Sequence, residues 1–173
     1  MGGLPDQWLT AVVEGGGDRA VVRRLVDFSG LPGNLTVHVT RGKGRLDGKL
    51  SGYNRAAFRS TWLVLRDLDR DADCAPELRE RLLPNPAPRM LFRVPVRSLE
   101  SWLLADHQGI ARFLGISPNK IPTEPETLSR PKRAVVDLAG RSSKSSLRRD
   151  MVPEPGLSVE VGPAYTARII EFA

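Results

Sequence analysis

Two acidic clusters hold the residues best suited to chemistry, and each closes an apolar run. Leu9-Thr10-Ala11-Val12-Val13 leads into Glu14-Gly15-Gly16-Gly17-Asp18, and Thr61-Trp62-Leu63-Val64-Leu65 leads through Arg66 into Asp67-Leu68-Asp69-Arg70-Asp71. Short β-rich runs that stop at Gly or Asp read as buried parallel strands. In open α/β sheets, ligands bind at the carboxyl ends of such strands. If the two strands are neighbours, four or five carboxylates converge on one crevice. That much negative charge is costly to hold together, and a divalent cation bound by carboxylate oxygens relieves it.

Side chains of an extended segment alternate with a period of two, so Asp67 and Asp69 are expected on one side, within reach of one cation. Asp71 continues the alternation but lies near a helix start, where an acid can serve as a cap. Asp73 reads as a cap or a solvated acid. Asp18 stands four residues after Glu14, and a helix cap and a metal ligand look the same from sequence at this point.

The elements that must position these groups alternate regularly. A first strand is expected over residues 8–13, then a helix from Asp18 to Phe28 with Val21, Val22, Leu25 and Val26 as its apolar stripe. Gly30-Leu31-Pro32-Gly33-Asn34 breaks it, and residues 35–39 form a second strand. The polar, basic stretch 40–58 reads as a loop leading to a helix near 52–59. A third strand over 61–65 precedes a helix over 75–83, the breaker Pro84-Asn85-Pro86-Ala87-Pro88, and a fourth strand over 90–96. Helices are expected over 99–105 and 108–114. A proline-punctuated linker over 118–131 follows, then helices over 132–138, 143–151 and 165–172. This order predicts an α/β fold with a Rossmann-like central parallel sheet of about four strands flanked by helices. One domain over 1–173 is expected, with its core over about 8–115 and a helical C-terminal extension over about 130–173.

With 173 residues, 40% of them hydrophobic, the chain can bury one substantial core. No apolar stretch approaches the roughly 20 residues that cross a bilayer, and Met1-Gly2-Gly3-Leu4-Pro5-Asp6 lacks the features of a signal peptide. The single Cys74 leaves no internal disulfide, so a cytoplasmic protein is expected. The net charge is +6, and 21 of the 26 basic residues are arginine. A basic body around an acidic site suits a polyanion gripped by guanidinium forks. GC-rich coding would give the same arginine bias.

Several motifs are excluded by spacing. A calcium loop starting at Asp67 needs Gly and Glu where Ala72 and Leu78 stand. The aspartyl phosphatase motif fails at Asp71. Gly48-Lys49 lacks the remainder of a P-loop, and Gly15-Gly16-Gly17 lacks dinucleotide-binding spacing. His38, His107 and Cys74 do not make a zinc cluster.

A Glu-Gly after the first strand and an Asp-x-Asp after a later one resemble the Toprim domain of topoisomerases, primases and OLD-type nucleases. Val13-Glu14-Gly15 and Asp67-Leu68-Asp69 carry that resemblance. More closely, the chain resembles the Toprim-like DUF4276 family through Val13 to Asp18, Asp67 to Asp71, Leu99-Glu100-Ser101-Trp102-Leu103-Leu104-Ala105-Asp106, Pro131-Lys132 and Gly162-Pro163-Ala164-Tyr165. Such proteins continue into another helix past Glu171-Phe172, where this chain stops at Ala173.

The resemblance implies metal-dependent phosphodiester chemistry with Mg²⁺ or Mn²⁺. Glu14 would be a metal ligand or general base, with Asp67 and Asp69 on the same ion. Asp18, Asp71 or Glu100 would hold a second. Glu100 also fits a capping role after Ser98, and Trp102 fits the core. Lys132 and Lys144 would stabilise charge on the phosphate, or be solvated. Arg41, Lys43 and Arg45, with Lys144, Arg148 and Arg149, form two basic segments suited to gripping a nucleic-acid backbone, although a charge run is usually a solvated face. The expected function is a nuclease acting on DNA or RNA, an effector paired with an ABC/SMC-like ATPase in phage defence. The alternative is a Toprim-like module that binds a partner ATPase or nucleic acid without cutting. A small-substrate phosphatase or nucleotidyl transferase is disfavoured by the basic surface.

Overall fold

The two apolar runs that precede the acidic clusters form adjacent parallel strands. In the computed structural model, which describes residues 8–30 and 33–173, β1 (Trp8–Val13) pairs with β3 (Thr61–Leu65), with Val12 opposite Val64. β2 (Asn34–Val39) flanks β1 and β4 (Met90–Arg93) flanks β3, giving an all-parallel sheet of order β2-β1-β3-β4. The stretch read for a signal peptide, and Leu31 and Pro32 of the helix-breaking turn, lie outside the described residues.

The strands form because β-branched and aliphatic side chains fill a sheet flanked by helices. Burial deepens toward the carboxyl end of β1, where Ala11, Val12 and Val13 are fully enclosed. The chain runs on into α1 (Gly16–Ser29), which packs on β1 and β2 and ends at Gly30 in the left-handed conformation. Val21 and Val22 of its stripe are buried, whereas Leu25 is exposed.

Between β2 and β3 the expected loop is helical from Lys43 onward, as α2 (Lys43–Asp47) and α3 (Leu50–Ala56). Leu46 and Leu50 explain the difference. Both pack with Val12, Val64, Met90 and Phe92 in one core cluster, so tertiary burial fixes a helix that glycine-rich local propensity disfavours. α4 (Ala75–Leu82) precedes β4, and β4 ends before Pro95, which has no N–H for a further rung.

These elements belong to a first compact unit, Met1–Pro95, and the remaining chain forms a second, Val96–Ala173. The second unit is helical. It comprises α5 (Leu99–Ala105), α6 (His107–Leu114), α7 (Pro131–Gly140), α8 (Ser145–Met151) and α9 (Tyr165–Phe172). Short 3-10 turns at Pro118–Lys120 and Pro125–Thr127 punctuate the expected linker. Asp106 caps α6 by accepting the Gly109 N–H at 2.9 Å. Gly162 lets the chain pass against α8, since a Cβ there would lie 2.6 Å from the Met151 carbonyl carbon. The Gly162 and Ala164 N–H groups donate to the carbonyls of Met151 and Asp150, each at 2.9 Å. No helix among the described residues is long and apolar enough to cross a membrane.

Candidate metal centre

From β1 the chain departs to β2 on one side, then crosses back to β3 on the other. The strand order therefore reverses between the carboxyl ends of β1 and β3, the place where open α/β sheets bind ligands. Glu14 follows β1 directly and Asp67 follows β3 after one residue. The two clusters touch there, because the Asp67 backbone N–H donates to Glu14 Oε1 at 3.1 Å.

The Glu14 side chain is only 18% exposed. Burial raises its pKa above the ordinary glutamate value. The Asp67 N–H and Arg66 oppose the shift, while the charges of Asp69 and Asp18 add to it. Glu14, Asp18 and Asp69 therefore lie within electrostatic reach of one another. Asp18 Oδ2 also accepts the Gly15 N–H at 2.6 Å, so the acid does cap α1.

A loop from the end of β2 is fastened over this site. Thr40 donates its N–H to the Val13 carbonyl at 2.9 Å, and Gly42 donates to the Glu14 carbonyl at 3.2 Å. Gly42 has φ 118°, which a side chain rarely allows. Lys43 follows, and its Nζ reaches Asp69 Oδ2 at 3.0 Å and both oxygens of Asp71 at 2.9 and 3.0 Å.

The Asp-x-Asp segment departs from the expected extended geometry. β3 stops at Leu65, Leu68 is fully buried with its N–H on the Pro95 carbonyl, and Asp71 N–H closes a turn onto the Leu68 carbonyl at 3.1 Å. Asp69 adopts φ 50° in that turn, a conformation aspartate tolerates better than most residues. The chain from Asp67 to Asp71 thus turns around Leu68 and does not continue the strand alternation.

Arg66 is the residue that sequence reasoning missed. It is 3% exposed and gives Nε to Asp47 Oδ1 at 3.1 Å and Nη2 to Asp47 Oδ2 at 3.2 Å. It also bonds the Asp71 carboxylate and the Asp67 carbonyl, and its Nε lies 3.8 Å from Glu14 Oε1. Burial alone would lower the guanidinium pKa, but the bonds to Asp47 and Asp71 outweigh it and leave the group more basic than usual. Asp71 is held below the aspartate range, first by Lys43 and then by Arg66. A lone cation between a strand end and four acids was the available signal. Asp47 gave none.

No family model, curated protein or solved structure matches the chain. The donor set, carboxylates at two adjacent strand ends, suits a hard cation such as Mg²⁺. Lys43 and Arg66 already compensate part of the charge. Among the described residues no three acidic, histidine or cysteine side chains stand close enough to form a ready coordination sphere, and Asp69 and Asp71 are engaged by Lys43.

The remaining expected residues are placed as follows. In the second unit, Glu100 is 8% exposed, and its carboxylate accepts from Ser98 Oγ at 2.7 Å and Tyr165 Oη at 3.2 Å. Lys132 Nζ lies 3.7 Å from Glu100 Oε1. Trp102 is half-buried, not enclosed. Lys144 donates to the Phe113 and Arg112 carbonyls at 2.7 and 3.4 Å, closing the C-terminus of α6, so it is occupied structurally. Arg148 likewise bonds the Ser142 carbonyl, and Arg149 pairs with Asp150 at 3.1 Å while staying 75% exposed. In the first unit, Arg41 and Arg45 are exposed, whereas Lys43 is committed to the acidic site.

Proposed function

We propose that the chain is a Mg²⁺- or Mn²⁺-dependent nuclease that hydrolyses phosphodiester bonds in DNA or RNA. The observation that carries this reading is the meeting of Glu14 and Asp67 at the point where the strand order reverses. Glu14, Asp67 and Asp69 would hold a first ion, and Asp18 or Asp71 a second. Bound there, such an ion supplies Lewis-acid polarisation of the phosphoryl group and lowers the pKa of water.

The chain's own groups support the rest. The raised pKa of Glu14 brings it nearer neutrality than an ordinary carboxylate, which suits it to take the proton of an attacking water. Arg41 stands beside Gly42, one residue from the loop anchored on Glu14, and with Arg45 it presents guanidinium forks to a phosphate backbone. Asp47 and Arg66 act as positioning residues, since they fix the Asp67–Asp71 turn. Roles for Glu100 and Lys132, an ABC/SMC-like ATPase partner and a cytoplasmic setting belong to the same proposal and rest on the Toprim resemblance.

The neutralisation of Asp69 and Asp71 by Lys43 and Arg66 favours a second reading, a Toprim-like module that binds partner or nucleic acid without cutting. Incubating the protein with plasmid DNA and structured RNA, in Mg²⁺, Mn²⁺ or EDTA, separates the two. Metal-dependent cutting that disappears in Glu14→Ala/Asp67→Ala supports the nuclease. Absence of both cutting and calorimetric metal binding supports the module.

A further inference from the structure

Two cations meet the acids that follow β3, and they are held in opposite ways. Arg66 is sealed, with 3% of its side chain exposed and bonds to Asp47, Asp71 and the Asp67 carbonyl. Lys43 is open to solvent. Its side chain is 42% exposed, and its partners Asp69 and Asp71 are 41% and 30% exposed. Ion pairs this exposed are weak, because water solvates each member well once they part.

The Lys43 ammonium nevertheless touches three carboxylate oxygens at 2.9 to 3.0 Å, one on Asp69 and both on Asp71. Those acids are proposed ligands of the metal centre. A compact point charge surrounded by carboxylate oxygens resembles, to these acids, a hard cation. The backbone that carries Lys43 does not have to move for the charge to leave. Thr40 and Gly42 are fastened to the Val13 and Glu14 carbonyls at 2.9 and 3.2 Å, and α2 begins at Lys43 itself. Only a flexible four-carbon stem separates that fixed backbone from the ammonium, so departure is a side-chain rotation.

We propose that Lys43 is a tethered counter-ion that a divalent cation displaces from Asp69 and Asp71, so that it sets the ion concentration at which the site loads. The inference rests on the reading of these strand ends as a metal centre. Being tethered, the ammonium competes at a high effective concentration however dilute the free ions are. It also keeps Asp69 and Asp71 from repelling each other before an ion arrives. Arg66 cannot take this part, since its buried fork ties Asp71 to Asp47 and has no water to turn into.

Calorimetric titration with Mg²⁺ and Mn²⁺ compares wild type, Lys43→Met and Lys49→Met. Lys49 is exposed and forms no ion pair with these acids among the described residues, so its loss removes a nearby charge and no contact. Lys43→Met should bind the ion about tenfold tighter, within the usual range of coupling between competing ligands. Lys49→Met should stay within about threefold of wild type, because its charge is screened by solvent. A second readout needs no variant. Wild type is treated briefly with acetic anhydride, with and without saturating Mg²⁺, and its five lysines are followed by mass spectrometry. Lys43 should react at least about fivefold faster with Mg²⁺, the same coupling seen from the lysine side, while Lys49, Lys120 and Lys144 keep their rates. Equal affinity of wild type and Lys43→Met, an equal gain in Lys49→Met, or Lys43 acetylation indifferent to Mg²⁺ would overturn the displacement. Absence of ion binding by both wild type and Lys43→Met is a different failure: it overturns the metal centre, and the displacement with it.

Discussion

Replacing Arg66 by Met should lower the stability of the sheet-bearing unit by about 2–4 kcal/mol. The magnitude follows from what the guanidinium holds. It makes three bonds to Asp47 at 3.1, 3.4 and 3.2 Å, one to Asp71 and one to the Asp67 carbonyl, with only 3% of its side-chain surface exposed. Charge-assisted bonds contribute about 1.5–3 kcal/mol each, and removing one partner of a buried pair costs about 3–5 kcal/mol. Asp47 and Asp71 keep 26% and 30% exposure, so water recovers part of their solvation and the lower end applies. Methionine preserves most of the apolar stem, which leaves the core cluster largely intact. For a chain of this length the loss corresponds to a fall in melting midpoint of roughly 5–12 °C. Urea unfolding followed by circular dichroism measures it, and a double-mutant cycle with Asp47→Asn isolates the pair. Coupling between the two of about 1–3 kcal/mol is expected. A single-variant loss below about 1 kcal/mol would mean that solvent, not Arg66, compensates these acids.

Further outcomes follow from the same structure. Because the folded-state pKa of Glu14 is raised, its charged form is penalised, and that penalty disappears as pH falls through the raised value. Glu14→Gln should therefore melt at or above the wild-type midpoint at pH 7 while losing metal affinity in calorimetry. Arg168 holds the Asp150 pKa below the ordinary aspartate value. A lowered pKa gives stability present above the unfolded value and lost as pH falls, so Asp150→Asn should flatten the acid limb of stability below about pH 4. Tyr165→Phe removes the hydroxyl donor to Glu100 and should cost about 1–2 kcal/mol in urea unfolding. Arg41→Glu/Arg45→Glu should weaken nucleic-acid binding and its salt dependence in filter assays without loss of stability, whereas Lys144→Met should lower the melting midpoint.

The strands and the meeting of the two acidic clusters were legible because they rest on short-range patterns. Val12-Val13 and Val64-Leu65 are apolar runs that end where polarity begins, and a parallel sheet brings such ends together. What could not be read depends on side-chain reach over long separations. Asp47 meets Arg66 across 19 residues, and Tyr165 meets Glu100 across 65. Lys43 looked like part of a solvated basic run because nothing local records that Gly42 anchors its backbone to Glu14. The Asp69 turn was hidden for a different reason. Period-two reasoning assumes a continuing strand, and the burial of Leu68 beside Pro95 ends it.

The seam between α8 and α9 has a consequence for the timescale on which the second unit opens. Terminal helices usually exchange their amide hydrogens quickly, by local fraying. Here Tyr165, 5% exposed, opens α9 with its hydroxyl on Glu100 of α5, while Gly162 and Ala164 are bonded to the end of α8. Lifting α9 would strip a buried carboxylate of a donor and break both backbone bonds at once. Amide protection at the start of α9 should thus match that of α5 and α8, so that the three helices open as one cooperative group.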